Sequence, residues 1–402
     1  MKRTLILLLV SLFAVAGYGQ DDSTKAKKTP KLKVSGYVQT QVEISGKDGK
    51  TKLGKSTSFN EDMDEGDSFT RFGIRSGRIK FDYSAPVGKA VFQLDITEKG
   101  VFVKDAYYQV DEHRFDMFSL KAGIFDRPFG NEISYSSSRM ESPERARLFQ
   151  NLFPDERDLG AMMIIKAPKN TALNGLKLEA GLFSGNGIKQ ADDSKLDFIG
   201  HLKYDKTVGD VTFGIGASMY YGTTNNTDTL LYRVEDRLWV AEKVEANSLN
   251  TRAYYGIDAQ LTFHTLIGRT NIRGEYLFGE QPSLVNSFKS PVGNSYTDAF
   301  NHIRPFSGFH VYLVQGVWKL PLSAVVKYSS YDANTELSGN DISLATDLAS
   351  SSLGFGLLWD ICDSLRLQAY YEINNNETTT LLSKYSKDLD DNLFTLRLQY
   401  KF

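Results

Sequence analysis

Hydrophobic and polar positions alternate along most of this chain. In LKVSGYVQTQVEI, Leu32, Val34, Val38, Val42 and Ile44 share one parity, and Lys33, Ser35, Gln39, Gln41 and Glu43 share the other. The same period of two returns in AVFQLDI (90–96), LKLEAGLF (176–183), LRLQAYYEI (365–373) and the closing NLFTLRLQYKF. Successive side chains of a strand point to opposite faces, so each stretch reads as a strand with one apolar face. Sixteen spans are predicted: 32–44, 69–84, 89–98, 101–111, 115–125, 158–167, 175–183, 197–206, 210–221, 251–264, 268–279, 308–319, 322–332, 350–361, 364–374 and 391–402. No stretch carries a convincing helical period, although 131–157 has room for one or two helical turns.

The connections sharpen the picture. Long ones at 45–68, 126–157, 184–196, 222–250, 280–307, 333–349 and 375–390 alternate with short ones such as APVG, TVG, LP and CD. Only 99–100 is short where a long loop is due. An even strand count with this rhythm puts the long loops at one end and both termini at the other. That is the plan of an outer-membrane barrel, with short periplasmic turns and longer outside loops. Crossing an apolar band of about 25 Å at a tilt of about 40° takes roughly 10 residues, the length found here. A closed sheet leaves no unpaired edge in lipid. The expected fold class is therefore all-β, a transmembrane antiparallel β-barrel of about 16 strands. Its apolar face meets lipid and its charged face meets a water-filled lumen. The last strand, with Phe394, Leu396, Leu398, Tyr400 and Phe402 on one face, closes it, and Tyr400 and Phe402 fall at the interfacial aromatic girdle.

Composition changes this picture at the front. MKRTLILLLVSLFAVAGYG (1–19) has a basic start, an apolar run and small residues, the form of a cleaved signal peptide. No cysteine follows the run, which argues against a lipoprotein anchor. Residues 20–31 read as a flexible segment and 32–402 as the barrel. Loss of Lys2 and Arg3 takes Lys+Arg from 47 to 45 against 49 Asp+Glu, leaving about −4 on the mature chain. Near-balanced charge argues against a nucleic-acid partner. The single cysteine, Cys362, forms no intramolecular disulfide.

Candidate chemistry concentrates in two places. Loop 126–157 holds Arg127, Arg139, Arg145, Arg147 and Arg157 with no lysine. Guanidinium groups suit phosphate and carboxylate, and a loop folded into the lumen would set them at a constriction. The other reading is that they pair with Asp126, Glu132, Glu141, Glu144, Asp155 and Glu156 to hold the loop in shape. In 69–84 the pattern changes phase between Phe72/Ile74 and Ile79/Phe81/Tyr83. A β-bulge near Ser76–Gly77 would turn Arg71, Arg75, Arg78 and Lys80 all toward the lumen; otherwise one or two snorkel to the interface. EDMDEGD (61–67) lacks the spacing of a calcium loop, the five histidines lack metal spacing, and FSGNG (183–187) lacks a nucleophile elbow. Neither a cofactor nor an enzymatic activity is expected.

Several stretches resemble the phosphate-selective porins O and P. FGIRSGRIKF (72–81) is similar to that family's Arg-rich second strand, with Arg75 and Arg78 matching and Ser76 where another Arg is often found. KAGIFDRPFG (121–130) resembles the approach to the family's long third loop, and RDLGAMM (157–163) its exit; VVKYSSYD (325–332) and the closing LRLQYKF resemble later strands. The resemblance implies a 16-stranded, trimeric barrel passing small anions or organic solutes. The resulting expectation is an outer-membrane porin, a homotrimer surrounded by lipid and lipopolysaccharide, with Arg71, Arg75, Arg78, Lys80, Arg139, Arg145 and Arg147 facing small anionic or neutral solutes. The alternative is a non-conducting barrel acting as an adhesin or structural protein through loops such as 222–250.

Overall fold

The computed structural model describes residues 29–49, 53, 68–112, 114–189, 193–290 and 299–402. The signal peptide, most of the segment 20–31, the acidic stretch 61–67 and His113 lie outside the described residues. The strands are β1 (Lys31–Ser45), β2 (Phe69–Ala85), β3 (Gly88–Thr97), β4 (Gly100–Asp111), β5 (Phe118–Asp126), β6 (Arg157–Lys166), β7 (Leu176–Phe183), β8 (Asp197–Val208) and β9 (Val211–Asn226). They continue with β10 (Leu230–Glu235), β11 (Leu238–Lys243), β12 (Ser248–Thr265), β13 (Gly268–Ser283), β14 (His302–Gly316), β15 (Leu322–Asp332), β16 (Ser350–Cys362), β17 (Leu365–Asn376) and β18 (Leu393–Lys401). One short helix, α1 (Arg147–Leu152), lies in the loop between β5 and β6.

Sixteen of these strands form a closed antiparallel barrel in which each pairs with its sequence neighbours and β1 pairs with β18. The closing ladder of β1 and β18 runs from Tyr37–Lys401 to Ser45–Leu393. Gly36 and Phe402 exchange backbone hydrogen bonds of 3.0 Å each. A Cβ at Gly36 would lie 2.5 Å from the Phe402 ring, so the bare glycine makes room for it. Along β18 the usual rule of burial is inverted. Leu396, Leu398, Tyr400 and Phe402 are exposed, while Thr395, Arg397 and Gln399 are buried. Apolar side chains outside and polar ones inside are what a lipid-facing barrel requires.

The remaining two strands were not expected. The connection 222–250 is not one irregular loop: β9 and β12 extend into it, and β10 and β11 form a hairpin between them. Its turn residues Asp236 (φ 48°) and Arg237 (φ 65°) both sit in the left-handed region, as a type I′ turn demands. The hairpin joins the wall at a parallel bridge, Tyr232 to His302, where the two rings stack 4.6 Å apart, and Trp239 meets the edge of the same His302 ring at 5.1 Å.

The wall is lopsided. Strands β3 to β7 are 8 to 12 residues long, whereas β9 and β12 to β14 run 15 to 18. The short β3–β4 hairpin leaves the outer half of β2 with no strand partner on that side among the described residues, because its first pair with β3 is Arg78–Asp95. Side chains cover part of this edge: Asp95 accepts from the Gly77 N–H at 3.1 Å, and Glu98 from the Ile74 N–H at 2.9 Å.

Candidate functional site

Residues 127–156 fold into the barrel. Past Pro128 the chain turns at Gly130 (φ 59°), where a Cβ would meet the Glu275 carboxylate at 2.0 Å. Glu275 on β13 then accepts the N–H groups of Asn131 at 2.8 Å and Glu132 at 2.5 Å. Farther on, the carbonyls of Ser137 and Ser138 accept from Gln39 on β1 and Gln399 on β18. The Glu141 carbonyl accepts from Gln368 on β17 at 2.5 Å, and the Glu144 carbonyl from Lys327 on β15 at 2.9 Å. A single loop is thus pinned to widely separated strands, and backbone groups that would be unsatisfied in the interior are paired.

Two different surfaces result. On the tall side, loop residues Phe129, Ile133, Phe149, Leu152 and Phe153 pack with Tyr220, Tyr254, Leu277, Phe306 and Tyr331 of the wall in one buried cluster. The helix α1 supplies Leu148, Phe149 and Leu152 to it. Phe153 stacks on Tyr220 at 6.2 Å and meets the edge of Tyr254 at 5.8 Å. Gly256 keeps the wall low enough for Phe129, since a Cβ there would sit 2.9 Å from the ring. Part of the lumen is therefore a packed core, rimmed by buried ion pairs such as Arg252–Asp197, with Tyr220 donating to the same carboxylate at 2.6 Å.

On the other side a cavity of about 210 Å³ remains between the loop and strands β1, β2, β4 and β18. Six cations line it (Arg75, Arg78, Lys104, Arg145, Lys289 and Arg397) against three carboxylates, Glu144, Asp155 and Glu156. The bulge in β2 falls at Arg75, because Gln39 faces Ser76 while Thr40 faces Ile74. The extra residue brings Arg75 and Arg78 to the same side. A second bulge, in β4, falls at Lys104, between the pairs Gln93–Asp105 and Leu94–Val103. At the loop exit Asp155 (φ 59°) and Glu156 (φ 68°) occupy the left-handed region in succession, a costly backbone state for two non-glycine residues. Burial alone would raise the Glu156 carboxyl, but Arg145 and Arg157 hold it down to about 2.

Of the seven residues singled out by sequence, the structure brings three together at this cavity: Arg75, Arg78 and Arg145. Arg75 grips Glu144 with two bonds of 2.5 and 2.8 Å, Arg78 lies 3.5 Å from Asp95, and Arg145 pairs with Glu156. The other four lie elsewhere. Arg71 pairs with Glu98 at 3.3 Å near the outer end of β2, and Lys80 with Asp82 at 3.3 Å nearer the turn end. Arg139 is exposed, and Arg147 reaches away to Asn376 at 2.8 Å and Asp391 at 2.9 Å. A sequence interval carries no information about which side of the lumen a loop residue turns to. Loop-internal pairing holds for Arg145 with Glu156 and for Arg157 with Asp126 at 3.1 Å and with Glu156, but Glu141 and Glu144 reach instead to wall arginines, Arg273 at 2.5 Å, Arg75, and Arg397 at 3.4 Å. Lys104, Lys289 and Arg397 were missed. Arg397 was legible as a polar-face residue of the last strand, and Lys104 interrupts the apolar run VFVKDAYY, the mark of a bulge; nothing flags Lys289. Among the described residues no group of His, Cys, Asp and Glu is arranged to hold a metal ion.

No family model matches the chain, and no curated protein does. Solved structures with the same architecture are numerous. The outer membrane channel DcaP of Acinetobacter baumannii superposes with a TM-score of 0.57 at 12% identity, covering 94% of this chain and 99% of that one. Salmonella typhi OmpF, in complex with daunomycin, gives 0.57 at 12% identity over 92% and 98%. The trimer form of OmpT, an outer membrane protein of Vibrio cholerae, gives 0.54 at 13% identity over 93% and 100%. At such identities the likeness is one of fold.

Proposed function

We propose that this protein is an outer-membrane porin, passing small hydrophilic solutes passively and favouring anions, phosphate among them. The observation that carries the reading is a local inversion of charge. The whole chain is net negative, yet the cavity between loop and wall is lined by six cations and three carboxylates. With a Debye length of about 8 Å, distant surface acids are screened and the nearby guanidinium and ammonium groups set the field. The shared fold with an outer membrane channel supports the same reading, as does the resemblance of Arg75 and Arg78 to a phosphate-selective strand. The exposed apolar face is expected to meet lipid and lipopolysaccharide after export by the 1–19 signal. The half-covered outer edge of β2, beside exposed Phe72 and Phe102, supports a homotrimer, because an open edge in the apolar layer is costly until something covers it.

Single-channel recording in planar bilayers under a KCl gradient tests this. Wild-type protein is expected to give a reversal potential on the anion side. Replacing both Arg75 and Arg78 with Glu should move it toward cations, with the shift shrinking at 1 M salt, where the Debye length is about 3 Å. A cation-selective wild type overturns the anion preference and leaves the channel. Absence of current overturns the channel and favours the non-conducting alternative, for which the β10–β11 hairpin, with Leu238 and Val240 exposed, is the supporting observation.

A further inference from the structure

Two breaks in the sheet flank the cavity, and each adds a base to its wall. In β2 the ladder steps over Arg75, and in β4 it steps over Lys104, between the pairs Gln93–Asp105 and Leu94–Val103. Strict alternation would set Lys104 on the face opposite to Asp105, toward lipid. The bulge lets both turn inward, Asp105 to the Arg157 guanidinium at 3.3 Å and Lys104 to the cavity. The other register shift among the described strands, between Asp360 and Cys362, lies beside a turn.

The bases of the cavity differ in what already holds them. Arg75 and Arg397 share Glu144, Arg78 lies beside Asp95, and Arg145 pairs with Glu156. Each guanidinium group thus has a carboxylate of the chain at ion-pair distance. Lys104 and Lys289 have none among the described residues. Lys289 is exposed on the loop between β13 and β14, where water and salt screen it. Lys104 is half-buried on its strand. Glu156 and Asp155 attract it, while Arg157 and Arg78 repel it, and Glu156 is already paired with both Arg145 and Arg157. The fold therefore fixes one positive charge at the wall and leaves it unmatched at short range.

We propose that Lys104 sets the anion preference of this channel, acting on passing small anions as a hydrated ammonium charge and not through an arginine fork. An ammonium is compact and strongly hydrated, and it lacks the planar pair of donors by which a guanidinium grips phosphate or carboxylate. Small anions are then favoured by charge, with no tight site for any one of them. The inference rests on the channel reading above and deepens it by naming the residue and its mode of action.

The test uses the full-length protein in planar bilayers under a KCl gradient. In Lys104→Gln the chloride-to-potassium permeability ratio should fall roughly fivefold, the effect of a unit charge about 5 Å from the ion that favours chloride and disfavours potassium. Lys104→Arg keeps the charge and should keep the ratio, which a purely packing role would not require. Lys169→Gln, on the exposed turn between β6 and β7, removes the same net charge far from the cavity and should leave the ratio unchanged. An anion-selective wild type whose ratio survives Lys104→Gln, or is lost in Lys104→Arg, overturns the role of Lys104. Inorganic phosphate that halves the wild-type chloride current below about 1 mM would reveal a tight site and overturn the forkless mode. A wild type without current fails at the channel reading, and a cation-selective one at the anion preference; both are read before any variant is made.

Discussion

The two sides of the lumen use the same residue types to opposite ends. On the tall side Arg252 is fully buried, pairs with Asp197, and lies 4.7 Å over the Tyr220 ring. On the open side Arg75 also pairs with a carboxylate, but about a third of its side chain remains accessible. A buried pair is costly to break because the survivor has no water to turn to. A pair that keeps part of its surface in water is better screened and costs less to break. One arginine is thus committed to the fold, and the other keeps part of its side chain in the open cavity. The teaching is that charge counts along a strand do not separate core-buried from cavity-lining guanidinium groups; the packing around them does.

That contrast is testable first by truncation. Arg252→Ala should cost roughly 3–5 kcal/mol by stranding Asp197, whereas Arg75→Ala should cost about 1 kcal/mol or less. Refolding titrations into lipid vesicles measure both, and equal costs would erase the distinction. A second test turns to the outer face, which should be uniformly apolar whichever half of the lumen lies behind it. Ile257, exposed near the middle of β12, should lose about 2–4 kcal/mol on replacement by Arg. Gln260, on the lumenal parity and bonded to Asp205 at 2.9 Å, should change by no more than about 0.5 kcal/mol. Comparable losses in the same titration would mean that inside and outside are exchanged. Gln368 is unsuitable as the lumenal partner in such a test. It faces inward as its parity predicts, but it is buried against the loop carbonyl of Glu141 and not bathed in water.

The smallest expected effect is with pH. Glu156 has its carboxyl held at about 2, below its ordinary value near 4.5. A depressed carboxyl contributes stability above its unfolded value, and that contribution is lost as pH falls through the folded one. Between pH 7 and 5 the loop exit should therefore keep its charge. Neither the reversal potential nor the midpoint of unfolding should move on account of Glu156, and loss should begin below about pH 4.5. A midpoint that falls between pH 7 and 5 in wild type but not in Glu156→Gln would contradict the assignment.

Some of this molecule was written in the order of its residues. Alternation predicted all sixteen wall strands, from 32–44 to 391–402, because a sheet with lipid on one face and water on the other admits only one side-chain period. The even count and the rhythm of connections set the topology, and the change of phase in 69–84 announced a bulge, found at Arg75. The room for a helical turn in 131–157 became α1. The β10–β11 hairpin escaped because its Asp–Arg turn lacks the glycine that usually signals a two-residue hairpin. What only the tertiary structure decided lies inside the barrel. The loop's path, the filling of one side by Phe149 and Phe153, and the meeting of Arg75, Lys104, Arg145 and Arg397 around one cavity depend on contacts between residues tens to hundreds of positions apart. Periodicity reports which face a side chain takes on its own strand. It carries nothing about the height at which a loop crosses or which wall it reaches, since those follow from packing volume and from pairing across the lumen.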